Sequence, residues 1–101
     1  MRERKQLAYE GTVTVVVTID EETGLLEDEP KISARGVGSL GSDNGLRDDA
    51  KRVVSAAIAG ASRQTLADES LLKEHVRVEL KRFIQKQTGA RPVITPVIVL
   101  I

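Results

Sequence analysis

The chain has 101 residues, of which 41% are hydrophobic, 30% charged and 2% aromatic. Fifteen Lys and Arg balance fifteen Asp and Glu, so the net charge is zero, and the chain has no Cys and one His. This length allows one domain with one modest aliphatic core. The neutral balance gives no whole-domain attraction to nucleic acid or membrane, and the lack of Cys excludes disulfides and thiolate metal sites.

The start of the chain is charged from Arg2 to Lys5 and lacks the apolar stretch of a signal peptide. No apolar run approaches the roughly 20 residues that a membrane helix needs. A chain without Cys also suits a reducing compartment. The sequence therefore predicts a soluble, cytoplasmic protein with no membrane partner.

Residues 1–10 are predicted to be a charged lead-in or linker, and residues 11–101 a single domain. Apolar residues alternate with a period of two across residues 12–19, which predicts a strand with an aliphatic core face. A turn follows, with Gly24 suited to a positive φ. A second strand, about Leu25 to Arg35, is predicted to pair back as a hairpin, and Pro30 within it indicates an edge strand or a bulge.

A Gly-rich loop over residues 36–45 ends in Ser42, Asp43 and Asn44, each of which can cap a helix. A first helix is predicted from about Leu46 to Ser62. A second begins near Asp68 or Ser70 and ends at a Gly89 cap.

The last strand runs through residues 93–101 and is apolar on both faces, so both faces need cover. The order β-β-α-α-β predicts an α+β two-layer domain, a three-stranded sheet with two helices on one face. Pro30 and Pro96 indicate edges, which leaves the strand Val13–Ile19 as the central one.

Residues 36–41 match G-x-G-x-x-G, but a dinucleotide site needs a parallel strand directly after the next helix, and a second helix follows here. A flexible connection is the better interpretation, and no cofactor is predicted. His75 has no Cys or second His to build a zinc site. A pair with Glu79 could form a general base, but no nucleophile accompanies it, so a surface or boundary histidine is favoured. We predict no catalytic, cofactor-binding or metal-ligating residue in this chain.

Acidic residues crowd the hairpin between Asp20 and Glu29, and basic residues crowd the second helix. The basic stripe could follow a phosphate backbone, remain a solvated face, or meet the acidic hairpin of a neighbouring subunit. No aromatic residues accompany it for base stacking. The candidate contacts to RNA or to a subunit are Lys73, Arg77, Lys81, Arg82 and Lys86.

The sheet face opposite the helices is predicted to be a semi-apolar surface, which usually marks a partner. The candidate oligomer face comprises Thr14, Val16, Thr18 and Ile98.

The order of several short motifs is the most specific feature of the chain. They are Arg4-Lys5-Gln6-Leu7, Gly11, Val13, Val15-Val16-Val17-Thr18-Ile19-Asp20, Thr23-Gly24, Pro30, Ile32, Arg35-Gly36, Phe83-Ile84, Thr88 and Arg91-Pro92-Val93-Ile94-Thr95-Pro96-Val97-Ile98. Together they resemble the C-terminal domain of bacterial ribonuclease J over essentially the whole chain.

The resemblance implies a parent enzyme with a metallo-β-lactamase fold, an inserted β-CASP domain and catalytic zinc, which degrades and matures RNA as a 5′-3′ exonuclease and an endonuclease. It implies a small C-terminal domain, a three-stranded sheet covered by two helices, that supports dimer formation and activity. The metal-binding His-x-His-x-Asp-His motif of the family is absent here. The chain is therefore expected to be non-catalytic, with the rest of the ribonuclease J chain and a second copy as partners and RNA as the parent's substrate.

Overall fold

A computed structural model describes residues 11–36 and 44–101 of the protein. The predicted lead-in, most of the Gly-rich loop and the cap candidates Ser42 and Asp43 lie outside these residues. The described elements, in chain order, are β1 (Thr12–Ile19), β2 (Lys31–Arg35), α1 (Asn44–Ala59), α2 (Arg63–Ala67), α3 (Glu69–Thr88) and β3 (Val93–Leu100).

The three strands form one sheet in the order β2-β1-β3. β1 pairs antiparallel with β2 and parallel with β3, so the sheet is mixed and the helices form the crossover between β1's two neighbours. This confirms the predicted α+β class, the predicted order of strands and helices, and the central position of β1. The short helix α2, between the two predicted helices, was not expected.

The core lies between one face of β1 and the two long helices. Its centre on the strand side is formed by Val13, Val15, Val17 and Ile19 of β1, none more than 3% exposed, and Ile32 of β2 and Ile94 of β3 flank them. The helix side is lined by Ala50, Val54, Ile58, Leu72, Val76, Leu80 and Ile84. The period-two pattern of β1 therefore sends four aliphatic side chains to one face, as the sequence predicted. Thr12, Thr14, Val16 and Thr18 occupy the opposite face.

β2 is shorter than predicted, because Pro30 lies directly before it and has no N–H to offer a neighbouring strand. Upstream of Pro30, the Asp28 carboxylate accepts a hydrogen bond from the Glu29 N–H at 2.8 Å, which bends the chain locally. Pairing with β1 persists at an isolated bridge between Ile19 and Leu26. The Glu27 N–H still donates to the Thr18 carbonyl at 2.8 Å, so the hairpin is interrupted over residues 28–30.

The helix ends follow from identifiable caps. The Asp68 carboxylate accepts hydrogen bonds from the N–H groups of Ser70 and Leu71, which starts α3. Gly89 ends it with φ 77°, and its N–H donates to the Gln85 carbonyl. The Gly89 cap was predicted, and Asp68 is one of the two starting positions that the sequence left open. α1 ends at Ala59 instead of Ser62, because the Ser62 hydroxyl caps α2 by accepting from the Thr65 N–H at 3.1 Å.

Candidate interaction surface

The face of the sheet opposite the helices, which we call the open face, combines hydroxyl-bearing, cationic and apolar side chains. The strand register sets Val16 between Lys31 of β2 and Val97 of β3, and Thr14 between Ser33 and Thr95. The members of the open face are Thr12, Thr14, Val16 and Thr18 on β1, Lys31, Ser33 and Arg35 on β2, and Val93, Thr95, Val97 and Val99 on β3.

The composition of the open face changes from one edge of the sheet to the other. At the β2 edge it is cationic, through Lys31 and Arg35. At the β3 edge it is apolar, with Val93, Val97 and Val99 each 38–41% exposed. Such exposure of several β-branched side chains in a row provides apolar area that a partner can bury, which stabilises by about 25 cal/mol per Å².

The structure places three of the four predicted oligomer-face residues, Thr14, Val16 and Thr18, on the open face. The prediction for Ile98 was wrong. Ile98 lies opposite Val17 in the parallel register and packs against the core, so it belongs to the helix-covered face. Because β3 is apolar on both faces, its sequence alone leaves two choices of face, and only the register selects one. Val97 and Val99 take the position that Ile98 was expected to hold.

The backbone of β3 alternates in the direction of its hydrogen-bonding groups. The N–H of Val93 donates to the Gly11 carbonyl at 2.9 Å, and that of Ile101 to the Ile19 carbonyl at 3.0 Å. Odd-numbered residues of β3 therefore direct their N–H groups towards β1, and even-numbered residues direct them outward. Pro96 is even-numbered, so its missing N–H faces away from the sheet and leaves the β1–β3 pairing intact.

The predicted basic stripe lies on α3, where carboxylates of the same helix pair with three of its five cations. The Lys73 ammonium is 3.1 Å from the Glu69 carboxylate, and the Arg82 guanidinium 3.6 Å from that of Glu79. Arg77 forms two hydrogen bonds to Glu74. Lys81 and Lys86 are exposed. The spacing of three or four residues between acid and base was readable in the sequence, and the prediction overlooked it.

The Glu74–Arg77 pair changes the protonation equilibria of both side chains. The hydrogen bond from Arg77, aided by the nearby charges of Arg77 and Lys81, lowers the pKa of Glu74 below its usual value of 4.5. The same hydrogen bond raises the pKa of Arg77. Glu74 is therefore ionised throughout the neutral range, and this part of α3 presents compensated charge instead of a bare basic surface.

His75 connects the two long helices. Its Nε2 lies 3.0 Å from the Ala57 carbonyl oxygen, close to the end of α1. A carbonyl oxygen only accepts, so Nε2 carries the proton and donates. The two helices and Glu79 form a shallow cavity of about 410 Å³ beside His75. Within residues 11–36 and 44–101, no three His, Cys, Asp or Glu side chains come together in a group that could hold a metal ion.

The acidic hairpin is partly compensated by α1. Glu29 forms an ion pair with Lys51 at 3.0 Å. Asp20 accepts a hydrogen bond from the Glu22 N–H at 2.8 Å, so its carboxylate stabilises the turn.

In the part of the chain that the structure describes, no helix has the length and apolar character to cross a membrane.

Comparison with known proteins adds an evolutionary relationship to this geometry. The sequence profile of the family "Ribonuclease J C-terminal domain" matches residues 1–101. Ribonuclease J2 of Bacillus subtilis is 30% identical over 98 residues, which cover 97% of this chain and 18% of that protein. Proteins named ribonuclease J 2 from Streptococcus pyogenes and Staphylococcus aureus are each 26% identical, with the same coverage. The chain thus spans about a fifth of the length of these relatives.

Proposed function

Because this chain belongs to the ribonuclease J C-terminal domain family, we propose that it works as a non-catalytic assembly module of an RNA-degrading enzyme. The observation that carries the proposal is the open face of the sheet, where Val93, Val97 and Val99 are exposed beside Val16. Apolar β-branched side chains on a sheet face that lacks a helix among the described residues favour contact with another protein surface. We propose that this contact joins copies of the parent enzyme into a dimer and supports its activity.

The parent's chemistry is proposed from the relatives. They are named ribonucleases, and four fifths of their length lies outside the matched segment, which leaves room for a catalytic part. We propose that this part is a metallo-β-lactamase and β-CASP hydrolase that uses zinc to degrade and mature RNA from the 5′ end and internally. Residues 11–36 and 44–101 do not fit a zinc site, since they form no group of three metal-ligating side chains. The cytoplasmic location stays a prediction.

An accessory RNA-binding surface on α3 is the alternative. It has less support, because Lys73, Arg77 and Arg82 already pair with carboxylates of their own helix. Of the five candidate cations, Lys81 and Lys86 are the two that form no ion pair with a carboxylate of α3. Two exposed cations release few counterions on contact with a phosphate backbone, so they give weak attraction.

Light scattering over a dilution series tests the assembly role. We expect the unsubstituted 101-residue chain to form a concentration-dependent dimer and Val16→Lys to be a monomer. The reason is that a Lys at the centre of the open face would bury a charge at the interface. Gln87→Lys adds the same charge on an exposed position of α3 and should leave the mass unchanged. An unsubstituted chain that is monomeric at every concentration, or a Val16→Lys variant with unchanged mass, would contradict the proposal.

A further inference from the structure

The only asparagine of the chain is followed directly by a glycine, in the pair Asn44-Gly45. Asparagine is one of the thermally labile residues, because its carboxamide carbon can be attacked by the amide nitrogen of the next residue. A Cβ on that next residue hinders the attack, whereas glycine has no Cβ and a widely adjustable backbone. The pair therefore combines the side chain and the neighbour that most favour loss of the amide group.

The structure places this pair where the attacking backbone nitrogen is available. Asn44 and Gly45 are the first two residues of α1, and the N–H groups of a first helical turn have no acceptor within the helix. Within residues 11–36 and 44–101, the Gly45 N–H donates to no hydrogen-bond acceptor. Gly45 is also exposed, so water and hydroxide reach its nitrogen. Ring closure requires rotation of the Asn44 backbone, which at a helix end unwinds a single turn and costs little free energy.

We propose that Asn44-Gly45 is a spontaneous modification site, at which Asn44 loses ammonia and becomes an aspartate or an isoaspartate. The Gly45 amide nitrogen gives its proton to hydroxide and forms a bond to the carboxamide carbon of Asn44. The carbon–nitrogen bond of the carboxamide breaks, and its nitrogen leaves as ammonia after taking a proton from water. Water then opens the succinimide ring at either of its carbonyl groups, so the net reaction consumes water and releases ammonia. This inference is independent of the proposed assembly function.

The two products have opposite effects on α1. The first turn of α1 has no acidic residue and contains Arg47. An aspartate at position 44 adds a negative charge at the positive end of the helix dipole, so it stabilises this turn. An isoaspartate routes the main chain through its side-chain carbon, which adds a methylene group to the backbone and disrupts the helical spacing. Because Leu46 packs against the core directly after this point, the isoaspartate form is the less stable of the two.

Incubation of the folded chain at mildly alkaline pH, followed by peptide mass spectrometry, tests the proposal. Trypsin releases residues 36–47 as one peptide, which contains the pair and ends at Arg47. We expect this peptide to gain about 1 Da and to separate into two chromatographic peaks of equal mass, one for each product. The folded chain should react within about tenfold of the rate of the urea-unfolded chain, because the first turn of α1 opens readily. A folded chain that keeps its original mass while the unfolded chain reacts would overturn the inference.

Gly45→Ala tests the role of the glycine, since it adds a Cβ beside the attacking nitrogen and keeps Asn44. We expect its mass gain to be slower by about tenfold or more, in urea as well as in the folded chain. The measurement in urea excludes a mere increase in helix stability, because α1 is absent there. Ser55→Ala is the matched control, an alanine in the middle of the same helix, and should react as fast as the unsubstituted chain. Equal rates for Gly45→Ala and the unsubstituted chain would overturn the inference.

Discussion

The imidazole Nε2 of His75 donates to the main-chain oxygen of Ala57 at 3.0 Å, so the single histidine of the chain connects α3 to the end of α1. In His75→Ala the part-buried carbonyl loses its partner, which we expect to lower the free energy of unfolding by about 1–2 kcal/mol. Urea unfolding followed by circular dichroism measures this loss. His75→Gln keeps an N–H donor at similar reach and should lose less. Equal losses in the two variants would show that side-chain packing, not the hydrogen bond, matters at this position.

Two glycines with positive φ should respond very differently to alanine. A Cβ on Gly11, at φ 102°, would lie 2.2 Å from the Arg35 carbonyl oxygen and 2.7 Å from the Gly36 carbonyl carbon, both backbone atoms. A Cβ on Gly89, at φ 77°, would meet no atom within 4 Å. We expect Gly89→Ala to cost about 1 kcal/mol, from backbone strain alone, and Gly11→Ala to cost at least about 3 kcal/mol, because β1 and β2 must separate. Thermal unfolding of the two variants compares them, and similar midpoints would contradict this placement of Gly11.

The opposite faces of β3 can be distinguished by neighbouring substitutions. Ile98 packs against the core, whereas Val99 lies on the open face and is 40% exposed. We expect Ile98→Ala to destabilise the monomer by about 1–3 kcal/mol and Val99→Ala by less than about 0.5 kcal/mol. Chemical unfolding at low protein concentration, where the proposed dimer would dissociate, gives the comparison. A larger loss for Val99→Ala would mean that the register of β3 is shifted by one residue.

The sequence predicted much of this fold because its patterns were local and consistent. The alternation of apolar residues in β1 and the two prolines identified the strands and the central strand. Asp68 and Gly89 marked the ends of α3. The face occupied by Ile98 could not be predicted, since β3 is apolar on both sides and its register depends on pairing with a strand about 80 residues earlier. The short helix α2 was not predicted, because the Ser62 cap starts a helix of only about one turn. The acidic residues that pair with the basic stripe on α3 were visible in the sequence, but the prediction did not take their negative charge into account.

The Glu74–Arg77 pair gives a defined pH response. Since the folded-state pKa of Glu74 is lowered, its contribution to stability is present above its unfolded-state pKa and is lost as the pH falls through the folded-state value. We expect the Glu74 carboxyl to titrate below 4.5 by NMR, and to return towards 4.5 in Arg77→Gln, because the largest cause of the shift is the hydrogen bond from Arg77. Arg47→Gln, on another helix, should leave the titration unchanged. An unaltered midpoint in Arg77→Gln would contradict the pairing.

The compensated charge of α3 predicts how the chain responds to RNA. We expect weak binding of single-stranded RNA at physiological salt, because carboxylates already pair with Lys73, Arg77 and Arg82. Replacing those carboxylates in Glu69→Gln, Glu74→Gln and Glu79→Gln together should release the three cations, raise affinity and steepen its salt dependence by up to about three units. Fluorescence anisotropy over a salt series measures both quantities. If the unsubstituted chain bound RNA tightly and lost this binding in Lys81→Ala and Lys86→Ala, α3 would instead be an RNA contact. The reason is that those two cations lie outside the ion pairs of this helix.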